Sequence, residues 1–413
     1  MRTDGVLMCG LVALVGLWGD LGGPLGPAPA LAQGTFPLKY QAADKTDELI
    51  QRVVPFYRRA LPERPFDLEA APQGLSERAR YYSIPICGRQ VLMVLDAPPA
   101  PRLFVDAAGT KDLSRAQPLT AMPLRRGWIE QVFGPVAITG ADPSRSARAW
   151  FLIHEGNTSS IRTIPAGYMV GEVELGGQSY RVAVVDPYVS GRYDHMDHIT
   201  GDRQAHDHET YLAVDLNQDG RFEMPTAAGE VVQLLPALHV EDAYYGVTVA
   251  PDGSSISLAK TEPKFGTLDT QCPGLGLYAI CEYGFQDLAR GDGKWRVPVG
   301  WHEAGAKTLT RRDAAGAAWM AYGPSWRGAG KLDLFEVRPG DTSTVAMGPP
   351  LMPKVQAEPA TDGVIRLSLS FVGRGGEGYH AQVEKNGQPV PPPRFRILDD
   401  SGKVLAAGQF EYG

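Results

Sequence analysis

The chain has 413 residues, with 40 Lys and Arg against 47 Asp and Glu, for a net charge of −7. This mildly acidic balance, without any basic cluster, excludes the electrostatic footprint of a nucleic-acid binder. After residue 32 no apolar stretch approaches the ~20 residues that a membrane-spanning helix needs.

Residues 1–32 read as a signal peptide. Arg2 gives a positive start, Val6 to Trp18 is an apolar run, and Ala30-Leu31-Ala32 is a small-x-small cleavage pattern. Cleavage after Ala32 would place the protein in a secreted, periplasmic or cell-envelope location. Removing residues 1–32 from 413 leaves 381, enough for two or three domains at roughly 100–200 residues each. Export means oxidising conditions. Cys272 and Cys281, which enclose PGLGLYAI, are the expected disulfide. Cys87, in the apolar setting IPICG, is expected to be a buried, inert thiol.

Along the chain, Leu49, Ile50, Val53, Val54, Tyr57 and Leu61 recur at helical spacing and predict a helix over 44–61. Asp44 is placed to cap it, and Pro55 to kink or split it. After Pro65 the period becomes two. ARYYSIPIC, QVLMVLDA and RLFVDAA read as consecutive strands, and strands continue through 165–235 and in hairpins at 243–258, 308–323 and 331–348. Pro349-Pro350 reads as a linker to a last module. The expected fold is mainly β: duplicated antiparallel sheet or hairpin units with one N-terminal helix, plus a C-terminal immunoglobulin-like sandwich. The expected divisions are 33–160, 161–335 and 336–413.

One hairpin design recurs. Arg102 to Leu113 aligns with Tyr211 to Phe222, each reading strand, Val-Asp, loop, apolar anchor, and VDPYVSGRYD at 185–194 is a looser third copy. Only the copy at Asp215 carries metal-type ligands. Asp215, Asn217 and Asp219 stand at alternate positions before Gly220, with the Arg221 carbonyl next, as oxygens converging on calcium require. This stretch resembles an EF-hand or dockerin-type calcium loop over about nine residues. Position 12 is Thr226 rather than Glu, so the missing ligand must come from Glu223 or Glu209. Without an ion, Asn-x-Asp-Gly is also ordinary turn chemistry.

His195, His198, His206 and His208 lie just upstream among Asp194, Asp197, Asp202, Asp207 and Glu209. Imidazoles gathered there would bind zinc or copper, although no standard zinc spacing is matched. The same acidic residues offer a second way to complete a calcium shell. Trp295, Trp301, Trp319 and Trp326 offer either a carbohydrate-stacking face or core packing. Catalytic signatures fail: Trp301-His302-Glu303 lacks the second zincin histidine, and Gly323-Pro-Ser325 misses the nucleophile-elbow spacing.

The Val-Asp hairpins, the LAVDLNQDG loop and the ending Phe410-Glu-Tyr412-Gly413 resemble a group of uncharacterised secreted bacterial proteins. The resemblance implies no particular activity. Two functions are therefore open: a non-catalytic, calcium-stabilised envelope or extracellular protein that binds a protein or polysaccharide partner, or a secreted metal-dependent or carboxylate-type hydrolase with its site near 194–223.

Overall fold

The structure is a computed structural model and describes residues 33–53, 56–96, 100–126, 128–142, 145–154, 157–200, 210–222, 230–288, 292–323, 334–359 and 364–411. The leader and its cleavage site at Ala32 lie outside them. Strands dominate, so the class is mainly β.

Four antiparallel sheets lie one upon another, because three of their strands are apolar on both faces. The first layer runs Gln33–Pro37, Ser255–Thr261, Ala243–Val249, Ala237–Val240. The second runs Val231–Gln233, Tyr211–Val214, Gln178–Val185, Gly167–Leu175, Lys39–Ala42. In Gln178–Val185, Val182 and Val184 pack towards the first layer, against Val247 and Leu258. Ala183 and Val185 turn the other way, onto Trp150, Leu152 and Ile164 of the third layer.

That third layer runs Phe56–Arg59, Asn157–Pro165, Ser146–His154, Trp128–Thr139, Met122–Arg126. It repeats the pattern: Phe151 and Ile153 face away from Leu152, onto Ile84, Met93 and Leu95 of the fourth layer. The fourth layer, Arg80–Ile86, Arg89–Asp96, Arg102–Val105 and Leu119–Thr120, has its outer face of Leu92, Val94 and Phe104 covered by Leu68 and Leu113. A strand with a core on each side cannot alternate apolar with polar, which accounts for the unbroken runs VLMVL and VAVV.

A separate sandwich follows. Lys294–Pro298, Phe265–Asp269 and Thr342–Thr344 form one sheet. Opposite it, a larger sheet holds Gly284–Leu288, Leu275–Cys281, Gly300–Arg312, Ala318–Tyr322, Val383–Lys385 and Gln388–Pro389, with Leu334–Val337 beside Gly300–Arg312. Leu268, Val297, Leu277, Leu309 and Val337 fill the space between.

Three expectations are corrected. The helix is only Glu48–Arg52, capped by Asp47, whose Oδ1 accepts the N–H groups of Leu49 and Ile50 at 3.0 and 3.4 Å. Asp44 closes a separate turn onto the Thr46 N–H. Leu49, Ile50 and Val53 are buried as their spacing required. Beyond them Pro55 has no N–H to extend the ladder, and the chain resumes as the strand Phe56–Arg59.

The expected divisions also cut through sheets. Lys39–Ala42 pairs with Gly167–Leu175, and Gln33–Pro37 with Ser255–Thr261. Within 336–413, Thr342–Thr344 joins Phe265–Asp269 and Val383–Lys385 joins Ala318–Tyr322. The remaining strands are a three-stranded sheet, Met352–Pro359, Ile365–Val372 and Gly378–His380, and a hairpin, Arg394–Leu398 with Val404–Gln409. Among the described residues they do not close into an immunoglobulin-like sandwich.

Cys272 and Cys281 are not a disulfide. Both are buried free thiols, as is Cys87. The strand Leu275–Cys281 runs between the two, and at about 3.3 Å per residue it carries them roughly 20 Å apart, far beyond the ~7 Å between Cα atoms that a bridge tolerates. Burial pushes the Cys87 thiol up to about 11 and the Cys281 thiol up to about 12. In an unreduced sample of the chain from Gln33 onward, a colorimetric thiol reagent should find almost nothing in the native protein. After unfolding it should find three thiols; a count of one would restore the disulfide.

Candidate functional site

Three loops of one construction stand at strand ends. Asp106 follows the strand Arg102–Val105, Asp186 follows Gln178–Val185, and Asp215 follows Tyr211–Val214. All three carboxylates are buried. Each is met by backbone N–H groups four and five residues on. Thr110 and Lys111 donate to Asp106 at 2.8 and 3.0 Å. Gly191 donates to Asp186 at 2.8 Å, with Ser190 beside it. Asp219 and Gly220 donate to Asp215 at 3.1 and 2.9 Å.

The backbone follows suit. The third residue after each Asp (Gly109, Val189, Gln218) and the fifth (Lys111, Gly191, Gly220) have positive φ, so the chain curls around the carboxylate. Seven residues after each Asp, an apolar side chain pins the loop to a core: Leu113 to the outer core of the fourth layer, Tyr193 to the core between the first and second layers, Phe222 to that between the second and third.

The copies differ at the fourth position. Thr110 Oγ1 lies 3.3 Å from Asp106 Oδ1 and 3.2 Å from the Asp112 carbonyl, and accepts the Asp112 N–H. Ser190 Oγ does the same at 3.1 Å from Asp186 Oδ2 and 3.3 Å from the Arg192 carbonyl. In both, one hydroxyl proton sits among oxygen acceptors. Asp219 occupies that position in the third loop. It still accepts the Arg221 N–H, at 2.8 Å, but a carboxylate has no proton to offer. Asn217 Oδ1 adds another oxygen, accepting the Asp219 N–H at 2.9 Å.

Two side chains that sequence reasoning missed hold this loop. Glu230, fully buried, accepts the N–H groups of Leu216 and Asn217 at 3.1 and 3.2 Å. It enters from the next strand, and no local pattern announces it. Arg181 donates to the Gly220 carbonyl at 2.8 Å and lies 4.9 Å over the Phe222 ring. A cleft of about 380 Å³ opens here between Asp47, Glu48, Tyr168, Arg181 and Phe222. Its polar groups hold one another: the Tyr168 hydroxyl donates to Asp47, and Gln41 links Tyr168 to Arg181. The cleft is thus a brace between the helix and the loop.

The other expected ligands are scattered or fall beyond the described residues. Glu223, Glu209, Asp202, Asp207, His206 and His208 lie outside them. Asp194 is engaged by the Arg192 guanidinium, whose hydrogen bonds hold its carboxyl below the usual range. His198 is exposed and reaches Glu282 at 3.3 Å, whereas His195 lends its carbonyl to the Thr210 N–H. Among the described residues, no three His, Cys, Asp or Glu side chains are grouped to hold a metal. His302 is sealed in the sandwich core, stacked on Phe335 and pushed down to about 4 by burial. Trp295 packs on the same core, and Lys385 covers Trp319 at 4.9 Å; Trp326 is outside the described residues.

Burial raises Asp186 to about 6 against the donors that face it. The folded state therefore holds a proton that the unfolded chain has released, between the ordinary 3.8 and about 6. The contribution of Asp186 to stability is therefore largest below that window and is lost as pH rises through it, on the order of 3 kcal/mol. Asp186→Asn keeps an oxygen acceptor for the Gly191 N–H and cannot ionise. Denaturant unfolding of the variant from pH 4 to 7 should lack that fall; an unchanged slope would show that Asp186 is not its source.

No family model, curated protein or solved structure matches the chain.

Proposed function

We propose that this is an exported, non-catalytic β protein, stabilised by calcium at the Asp215 loop, that binds a protein or polysaccharide partner. The carrying observation is the exchange at the fourth loop position. Where Thr110 and Ser190 place a hydroxyl proton between a carboxylate and a carbonyl, Asp219 brings a second carboxylate, which accepts the Arg221 N–H. Asp215, Asn217, Asp219 and the Arg221 carbonyl then bring oxygens that share backbone N–H donors but no hydroxyl proton, and a hard cation is the natural substitute for that proton. The loop backbone takes the required path in all three copies, so the ion would enter a turn already formed.

A binding role is supported by where the perturbed groups lie. Among the described residues, Asp186, His302, Cys87 and Cys281 are each buried, and none of them lines the cleft between Asp47, Tyr168, Arg181 and Phe222. His198 reaches Glu282, and among the described residues around Asp215 no three His, Cys, Asp or Glu side chains are grouped. Zinc or copper at the histidines would be a separate surface site, with His206 and His208 as the remaining ligands. Export rests on the apolar run and Ala30-Leu31-Ala32; the secreted protein should begin at Gln33 on N-terminal sequencing, and a retained Met1 would count against it.

Calcium that binds only the folded state stabilises it by about 2.7 kcal/mol at a hundredfold excess over Kd. The melting temperature should therefore rise with calcium and fall with EDTA. Asp219→Ala should abolish the rise, and Thr110→Ala, in the sister loop, should leave it intact. Asp219→Ser restores the hydroxyl of the other copies and should give a loop indifferent to calcium, more stable than Asp219→Ala in EDTA. Identical melting curves for the wild type in calcium and EDTA would reduce the loop to a turn.

A further inference from the structure

The larger sheet of the sandwich packs one face on its core and turns the other away. Leu275, Leu277 and Ala279 pack inward, so Tyr278 and Ile280, which alternate with them, lie on the outer face. The same alternation sets Trp301 and Glu303 outward on either side of the buried His302. It sets Phe285 and Asp287 outward beside buried Gln286 and Leu288, and Leu334 and Glu336 outward beside buried Phe335 and Val337. Met320 and Tyr322 lie outward around Ala321, which packs on the core. Tyr278, Phe285, Trp301 and Tyr322 are half-buried, and none of them joins any of the described cores.

Register gives this outer face a pattern. Tyr278 stands opposite Asp287, and Ile280 opposite Glu303. Trp301 stands opposite Glu336, and Met320 opposite Glu384. Four strand pairs thus each set an aromatic or apolar side chain beside a carboxylate, close enough to act together. The Tyr322 hydroxyl donates to Glu384 at 3.3 Å. Burial, and then the nearby Asp287 carboxylate, push the Tyr278 hydroxyl up. The Tyr278 and Phe285 rings are stacked, with centroids 5.4 Å apart and 24° between their planes. No Lys or Arg stands at the paired positions. Arg338, just beyond Val337, is held on Glu336 at 3.1 Å, and Arg312, at the far end of its strand, donates to the Gly316 carbonyl at 3.0 Å.

We infer that this outer face binds a neutral polysaccharide, laid across the strands over Tyr278 and Trp301. A sugar ring is apolar on its C–H faces and carries hydroxyl groups around its edge. Half-exposed aromatic rings cover the apolar faces, and an ionised carboxylate, which can only accept, receives the hydroxyl protons. A ring and a carboxylate side by side, repeated over neighbouring strands, supply both at once. A lipid surface or an apolar protein patch would seal the same carboxylates against groups that give them no hydrogen bond, which is costly. An acidic polymer would meet four carboxylates with no cation between them. The inference rests on the polysaccharide side of the proposed function and is independent of the calcium and export readings.

The test is electrophoresis of the chain from Gln33 onward in native gels that contain a mixed-linkage β-glucan, a galactomannan or alginate, each in calcium and in EDTA. At least one of the two neutral polysaccharides should retard the wild type, and alginate should not. Trp301→Ala and Tyr278→Ala should each weaken binding about tenfold. Asp287→Ala and Glu336→Ala, at exposed positions, should also weaken it and should melt like the wild type. Phe66→Ala, which removes an exposed ring elsewhere, should change nothing. A wild type that no neutral polysaccharide retards overturns the inference together with the polysaccharide reading, and leaves a protein as the partner. Retardation that all four face variants retain overturns the inference alone and moves the polysaccharide to another surface. Retardation by alginate only overturns the choice of a neutral ligand. Melting curves in calcium and EDTA decide the calcium reading separately.

Discussion

The buried carboxylate at a strand end is the interaction on which the layered architecture depends. Each interior sheet has a core on both sides, so its strands are apolar along their length and must leave the stack abruptly at the rim. There the backbone breaks from its ladder, and its N–H groups need acceptors that water cannot supply. Asp106, Asp186 and Asp215 supply them. One carboxylate takes two consecutive donors and draws the chain into a left-handed bend, and the apolar residue two or three positions later returns to a core. The arrangement serves the fourth layer at Asp106 and the second at Asp186 and Asp215, with three different anchoring side chains.

That construction was legible because its parts are local. Val-Asp at a strand end, a polar or glycine-rich loop and an apolar anchor lie within nine residues, and the alignment of Arg102–Leu113 with Tyr211–Phe222 matches in the two backbone donors that meet each carboxylate. The mainly-β class was legible for a related reason, since Gly and Pro punctuate apolar runs of strand length. The helix was half legible. Leu49, Ile50 and Val53 obey the helical period, but Tyr57 and Leu61 share that spacing by coincidence, belonging to a strand and a bridge beyond Pro55.

What escaped is non-local. The pairing of Cys272 with Cys281 looked short in sequence, but an extended strand is the longest path that few residues can take. The division into three domains failed because early strands join late ones: Gln33–Pro37 completes a sheet whose other members begin more than two hundred residues on. Glu230 could not be found from its surroundings, because its partners, Leu216 and Asn217, belong to the preceding strand end. The rise of Asp186 has the same origin. Its own loop resembles its two sisters, and the burial that raises it comes from the packing around the loop.

The position of the Asp215 loop gives its chemistry more reach than a surface turn would have. Val214 packs in the core between the first and second layers, Phe222 in the core between the second and third, and Arg181 crosses from the neighbouring strand to hold Gly220. Glu230 ties the loop to the strand Val231–Gln233, and Asp47 ties the helix to Tyr168 beside it. Two carboxylates brought together here without a bridging proton would strain elements of two cores at once, and a cation that relieved them would tighten both. The sister loops meet the same demand with a hydroxyl. A single residue type at one position thus sets whether a hydroxyl proton or a second carboxylate closes this rim of the stack.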